Sequence, residues 1–289
     1  MILAAVDAGC HVYTEKPFCR DLVEADEIVQ ACEMRHAKLA IAHQTRWSPT
    51  LERVRKEIRG GLIGRVLELR GRGKEDPRRG GGEDLWVLGS HVLDLMRYFS
   101  GDPVSCSARV TLDGEPIDAG DVYDGNEGIG PLAGDTVHAR YRFPGTVTGD
   151  FASVRGASGR PSRFGLQIFG SEGIVEVYTG HLAPCYVLQD SSWSPGRSGK
   201  SWVPFTSNGL GEPETRGRSS LHGGNVAAIN DLIDCIENPE KQPQCSVYDA
   251  RWTVEMIAAV FESQRVGAEV SLPLSTRQNP LSVLVSETR

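Results

Sequence analysis

The sequence predicts a short α/β part with parallel strands, followed by an α+β domain built on a large, mainly antiparallel sheet. Three observations carry this. Between Ile2 and Arg59, apolar strand-like runs alternate with helical segments, the pattern of βαβ units. From Cys106 to Tyr178, strand-like runs follow one another through tight turns, as in antiparallel sheets. Two helical segments then close the chain.

Ile2–Ala8 reads as the end of a helix stopped by Gly9, which tolerates a left-handed C-terminal position. His11–Thr14 is a short strand running into Glu15-Lys16-Pro17. Asp21 caps a helix reaching to Met34, with Glu24 three residues on as in a capping box. Leu39–Ala42 is an apolar strand, and Pro49 opens a helix that ends at Gly60-Gly61. Val66–Gly73 is a strand leading into the charged, glycine-rich loop Lys74–Gly82. From Leu85 to Phe99 the stripe Leu88, Val92, Leu95 and Phe99 marks a helix. The strand-like runs are Cys106–Leu112, Thr136–Phe143, Thr146–Val154, Phe164–Phe169 and Ile174–Tyr178. His138, Arg140 and Arg142 alternate with apolar neighbours, as on a sheet with one wet face. Trp193 and Trp202 flank a stretch read as a long loop over the site. Asn225–Ile236 and Tyr248–Arg265 are the closing helices, with Trp252, Met256 and Val260 as core, before a last strand near Glu269–Leu274.

A length of 289 residues with 39% hydrophobic and 24% charged residues fits one large or two ordinary folded domains and not a disordered chain. The net charge of −7 lacks the basic excess of a nucleic-acid binder. No apolar run approaches the ~18 residues of a membrane helix, and Asp7 with no early basic residue does not suit a secretory signal. Seven cysteines, an odd count without a CxxC pair, suit reduced thiols in a cytoplasmic protein, and no metal site is expected.

Three constellations bear on chemistry. Glu15-Lys16-Pro17 sits at the C-terminal end of a parallel strand, the edge where ligands of open α/β sheets collect. A lysine there can donate a proton or polarise a carbonyl; the same three residues also read as a surface ion pair before a proline turn. Helical spacing puts Val87, His91, Asp94 and Tyr98 on one face beside the Gly80-Gly81-Gly82 loop. His91 is an acid/base candidate there, or Asp94 and His91 are a packed structural pair. Gln44-Thr45-Arg46-Trp47-Ser48-Pro49 follows the next strand. Arg46 suits a carboxylate or phosphate, while Ser48 and Pro49 suit a helix start.

In order, Ala8–Pro17, Gln44–Pro49, Gly61–Val66, Gly80–Asp94 and the closing Gly267–Leu274 resemble the Gfo/Idh/MocA oxidoreductases, over nearly the whole chain. The resemblance implies an incomplete Rossmann-like domain over residues 1–48 and an α+β substrate and oligomerisation domain with an open sheet over 49–289. The last helices and strands would pack back on the first part. It further implies NAD or NADP as cofactor, a sugar, inositol or related polyol as substrate, and a homo-oligomer formed through the open sheet. Lys16 and His91 would be catalytic, Glu15, Lys16, Pro17, Gln44 and Arg46 would face the cofactor, and Lys16, Asp84, His91 and Asp94 the substrate. The Lys16–Pro17 bond is often cis in such proteins.

Two departures stand out. The GxGxxG turn of the Rossmann fold is missing, and the chain opens in the helix before the Glu-Lys-Pro strand, as expected of a truncated frame. Cofactor binding by these residues alone is therefore expected to be poor. Relatives carry an aspartate four residues before the histidine, where this chain has Val87; Asp84, seven residues before it, is the partial substitute. The leading expectation is an NAD(P)-dependent oxidoreductase, cofactor-impaired in this chain, and the alternative a non-catalytic sugar-binding or oligomerising remnant. An anion pocket at Arg70, Arg72, Lys74, Arg78 and Arg79 competes with a solvated loop, because Glu68, Glu75 and Asp76 interleave with it.

Overall fold

A computed structural model describes residues 1–180, 182–216 and 221–288. The chain opens with helix α1 (Ile2–Asp7), strand β1 (Val12–Thr14), helix α2 (Leu22–Arg35) and strand β2 (Leu39–Ile41). β1 and β2 pair in parallel, Val12 with Leu39 and Thr14 with Ile41. α2 begins where the Asp21 carboxylate accepts from the Glu24 amide at 2.9 Å, supplying one of the acceptors that a helix start lacks. Its buried face, Leu22, Ala25, Ile28 and Cys32, repeats at helical spacing. After β2 a 3₁₀ turn (Gln44–Trp47) leads to α3 (Pro49–Arg59), which Ser48 caps by accepting from the Leu51 amide.

β3 (Val66–Arg72) starts a second, eleven-stranded sheet. On one side β3 pairs antiparallel with Gly165–Gly170, followed outward by Gly173–Tyr178, Cys185–Leu188, Val203–Thr206 and Gly209–Leu210. On the other it pairs in parallel with Thr148–Val154, followed by Thr136–Arg142, Ser105–Leu112 and Val270–Ser271. Every other pairing in the sheet is antiparallel. Along Thr136–Arg142, Val137, Ala139 and Tyr141 are buried and His138, Arg140 and Arg142 exposed, which is the pleat alternation of a sheet covered on one face.

The covered face carries the helices Ser90–Ser100 and Val247–Val266. Gly71 makes the first of these contacts close: a β-carbon there would meet Val92 Cγ1 at 2.5 Å and Met96 Cε at 2.7 Å. The helix Val247–Val266 runs under both sheets. It packs on α2 and β2 as well as on Ser105–Leu112, and the Ile41 amide donates to the Cys245 carbonyl at 3.1 Å just ahead of it. The closing helices thus pack back on the first part of the chain.

Three details differ from expectation. The segment expected as one helix from Leu85 is a tighter assembly: a turn at Gly82–Asp84, a π-helical turn at Leu85–Gly89, then the α-helix Ser90–Ser100. Gly89 lies against the Phe151 ring, where a β-carbon would stand 2.7 Å from Phe151 Cζ, so the wide turn lets the backbone pass close to the sheet. The loop between Trp193 and Trp202 does not cover the candidate site. Trp193 packs edge to face on Phe169 at 5.0 Å and donates from Nε1 to the Gly170 carbonyl, at the far end of the sheet. Beyond that loop the chain adds sheet strands and, at Pro280–Glu287, a last helix that periodicity did not mark.

Candidate active site

β1 delivers Glu15, Lys16 and Pro17 to its C-terminal end, where Glu15 is exposed and Lys16 half-buried. The Lys16–Pro17 bond is cis, as the resemblance implies. Lys16 Nζ reaches across to the π-helical turn and donates to the Val87 carbonyl at 2.7 Å. Val87 lies four residues before His91, so the ammonium stands over the turn that presents the imidazole. The side chain of Val87 is buried, and its backbone oxygen is what meets the lysine.

His91 is half-buried at the start of the helix Ser90–Ser100. Burial first, then the neighbouring His43 and Lys16, hold it well below the usual histidine range, against the pull of Asp94. The imidazole is therefore neutral near pH 7, which is the state of a proton acceptor.

His43, immediately after β2, did not stand out in the sequence. Its ring centroid lies 5.1 Å from that of His91 with the planes at 65°, edge to face. His43 Nδ1 is 3.5 Å from Asp94 Oδ1 and 3.6 Å from Cys245 Sγ, and His43 Nε2 is buried without a partner among the described residues. A strand-end position in a parallel sheet was the available signal for His43. Cys245 comes from 202 residues away, which no local pattern shows.

Asp94, expected at the substrate, is turned to Arg46. Arg46 Nε donates to its Oδ2 and Nη2 to its Oδ1, both at 2.8 Å, in a bidentate pair. Burial opposes ionisation of Asp94, but Arg46 and His43 outweigh it and hold the carboxyl far below the usual range. Arg46 is correspondingly committed: it also touches Asp249 Oδ1 and the Gln244 carbonyl, each at 3.3 Å, and points into the protein instead of towards a cofactor. Gln44 stays nearer the surface and donates to Asn225 Oδ1 at 3.1 Å; Tyr13 donates to the same oxygen at 2.9 Å. Tyr13 is pushed up to about 12, by burial first and then by the Glu15 charge.

Asp84 lies elsewhere. It accepts from Ser153 Oγ at 2.5 Å and from the Glu75 amide at 3.1 Å beneath the charged loop, and burial raises its pKa. Neither hydrogen bond runs to Lys16 or His91. The charged loop itself is internally paired: Arg72 and Arg163 meet the buried Glu75, Arg70 meets Glu68, and Lys74 meets Asp76. That pairing favours the solvated-loop reading over an anion pocket.

Residues 51–176 match the profile of the GFO/IDH/MocA C-terminal domain. Levoglucosan dehydrogenase of Pseudarthrobacter phenanthrenivorans is 28% identical over 196 residues, 60% of this chain and 50% of that protein. D-apiose dehydrogenase of Paraburkholderia graminis is 27% identical over 76% of this chain and 64% of its own length. The chain thus spans only part of these relatives, about half of the first. Among solved structures, levoglucosan dehydrogenase in complex with NADH and levoglucosan superposes with a TM-score of 0.72 at 21% identity, over 94% of this chain and 76% of that one. An NAD binding oxidoreductase from Klebsiella pneumoniae gives 0.73 at 18% identity, over 94% and 76%. In its ordered motifs, its fold and the match of residues 51–176, the chain is similar to the Gfo/Idh/MocA oxidoreductases.

Proposed function

We propose that the chain belongs to an NAD(P)-dependent oxidoreductase that oxidises a hydroxyl-bearing carbon of a sugar, inositol or related polyol, with Lys16 and His91 handling the hydroxyl proton. The single observation behind this reading is the meeting of Lys16 Nζ with the Val87 carbonyl at 2.7 Å, one turn before His91, which puts ammonium and imidazole at one sheet edge. Relatives named as dehydrogenases of levoglucosan, D-apiose and scyllo-inositol support the substrate class.

A substrate hydroxyl seated between the two residues donates its proton to the neutral His91, while the Lys16 ammonium donates a hydrogen bond to the oxygen as charge develops on it. A bound nicotinamide would supply the acceptor for the hydride of that carbon. Glu15 would hold the hydroxyls of the nicotinamide ribose, with Pro17 and Gln44 beside it. These residues fit the nicotinamide end of a dinucleotide. They do not fit its diphosphate, because no GxGxxG turn occurs in the sequence and a helix start of that kind is what binds pyrophosphate. The 289 residues by themselves are therefore a weak cofactor binder.

That missing cradle favours one other reading, a sugar-binding or oligomerising module without turnover. We further propose that copies associate through the bare face of the large sheet, where Arg109, His138 and Arg140 stand exposed or half-exposed beside the small Ala108 and Ala152. The deciding experiment follows reduction of NAD+ and NADP+ at 340 nm with levoglucosan, apiose and the inositols. Turnover lost in Lys16→Met and His91→Gln supports the enzyme; turnover indifferent to both substitutions overturns the site. Polyol binding without turnover supports the module.

A further inference from the structure

We propose that His43 is the positioning residue of His91: its ring, anchored at Nδ1 beside the Asp94 carboxylate, stands edge-on to the His91 imidazole and fixes its orientation in the cleft. The inference rests on the reading of His91 as the group that takes the hydroxyl proton.

An imidazole used as a base needs a partner that holds its ring plane, since a freely turning ring presents the wrong nitrogen for part of the time. Nothing on the turn before His91 provides one. Val87 has no polar side chain, and its carbonyl is taken by Lys16. The neighbouring ring does provide one. His43 and His91 meet edge to face at 5.1 Å, with planes 65° apart. His43 is itself held: Nδ1 lies 3.5 Å from Asp94 Oδ1, and Arg46 pins that carboxylate through both its oxygens.

Packing alone does not explain a histidine here. The residue is 2% exposed, yet Nε2 has no partner among the described residues, and a buried polar atom left so costs about 1–3 kcal/mol. An apolar side chain after β2 would avoid that cost.

The groups facing the pair are Lys16 from the end of β1, Arg46 from the 3₁₀ turn, Asp94 from the helix Ser90–Ser100, and Cys245. Cys245 Sγ is fully buried and 3.8 Å from Asp94 Oδ1; burial pushes its thiol well above the usual range, so it stays protonated and donates to the carboxylate. Ligand atoms of His43, Asp94 and Cys245 all lie within 4.8 Å of one another, as in a metal site. The Arg46 guanidinium argues against a cation there, because it already supplies the positive charge and occupies both carboxylate oxygens.

The test is ¹⁵N NMR of the histidine rings in the 289-residue chain, with His91→Gln used to assign the His91 signals. In His43→Leu, the His91 ring nitrogens are expected to leave a single-tautomer pattern at pH 7 for an averaged one. The His91 titration midpoint should rise, because His43 is among the groups that hold it down. His43→Phe, which keeps the ring volume, serves if the leucine variant does not fold, with the same rise in midpoint expected. Unchanged His91 ring shifts and midpoint in a folded variant overturn the proposal. The reading of His91 itself fails separately, if His91→Gln keeps full turnover while His43→Leu still moves the His91 signals.

Discussion

Arg46 and Asp94 meet arm to arm in the interior, Nε to Oδ2 and Nη2 to Oδ1 at 2.8 Å, with 6% and 1% of their surfaces exposed. The pair ties the turn after β2 to the helix Ser90–Ser100, and through Asp249, which also meets Arg97, to the helix Val247–Val266. Two residues whose types suggested ligand contacts are thus spent on holding three elements in register. Such a pair costs much to desolvate, so its value shows when one partner is lost.

Arg46→Met alone should destabilise by about 3–5 kcal/mol, because it leaves the Asp94 charge buried and unpaired. Asp94→Leu should cost a similar amount, and the double substitution clearly less than the sum of the two. Urea unfolding of the three variants measures this; additive losses would show the two residues to be uncoupled.

Acidification should weaken the fold in two steps. His91 sits below its ordinary range in the folded chain, so the unfolded chain binds more protons once pH drops below about 6.5, and stability falls from there. Asp94 is also held low; its contribution is complete above about pH 4 and declines as pH falls further, towards its folded value. Urea midpoints measured from pH 7.5 down to 5 should therefore decline in the wild type and decline less in His91→Gln. Equal slopes would place the His91 ring in water.

Gly71→Val should cost about 1–3 kcal/mol or more, since the added carbons run into Val92 and Met96 across the sheet–helix contact. A melting temperature within a degree or so of wild type would mean that the helix shifts freely away from β3.

Titration of NADH fluorescence against the 289-residue chain should give a Kd of about 1 mM or weaker, worth no more than about 4 kcal/mol. Tight saturable binding would point to a diphosphate cradle built without a GxGxxG turn.

Placing a charge on the bare sheet face, as in Ala152→Glu, should dissociate copies that associate there while leaving the melting temperature near wild type. Size-exclusion chromatography with light scattering reads this out, and an unchanged mass would move the interface elsewhere.

Lys16 and His91 stood out in the sequence as candidates because each sits beside a local landmark: a proline after a strand, or a glycine run before a helix. The alternation of Thr136–Arg142 was equally plain, since a half-wet sheet writes its period into consecutive residues. His43 was nearly silent. Its place after an apolar strand was the sole local signal, and its significance comes from Asp94 and Cys245, 51 and 202 positions along the chain. Asp94 itself was visible on the right helix, but its partner Arg46 lies on a different element, so a helical wheel offered it to His91 instead. The strands beyond Trp193 escaped notice because Val203–Thr206 contains a proline and only two neighbouring apolar residues, a weak signal for an outer strand.

The long helix Val247–Val266 has one further effect. Because it packs on α2 and β2 as well as on Ser105–Leu112 and the histidine-bearing helix, the two parts of the chain rest on a shared beam. Hinged closure about the boundary between the two parts would shear that beam from its seats.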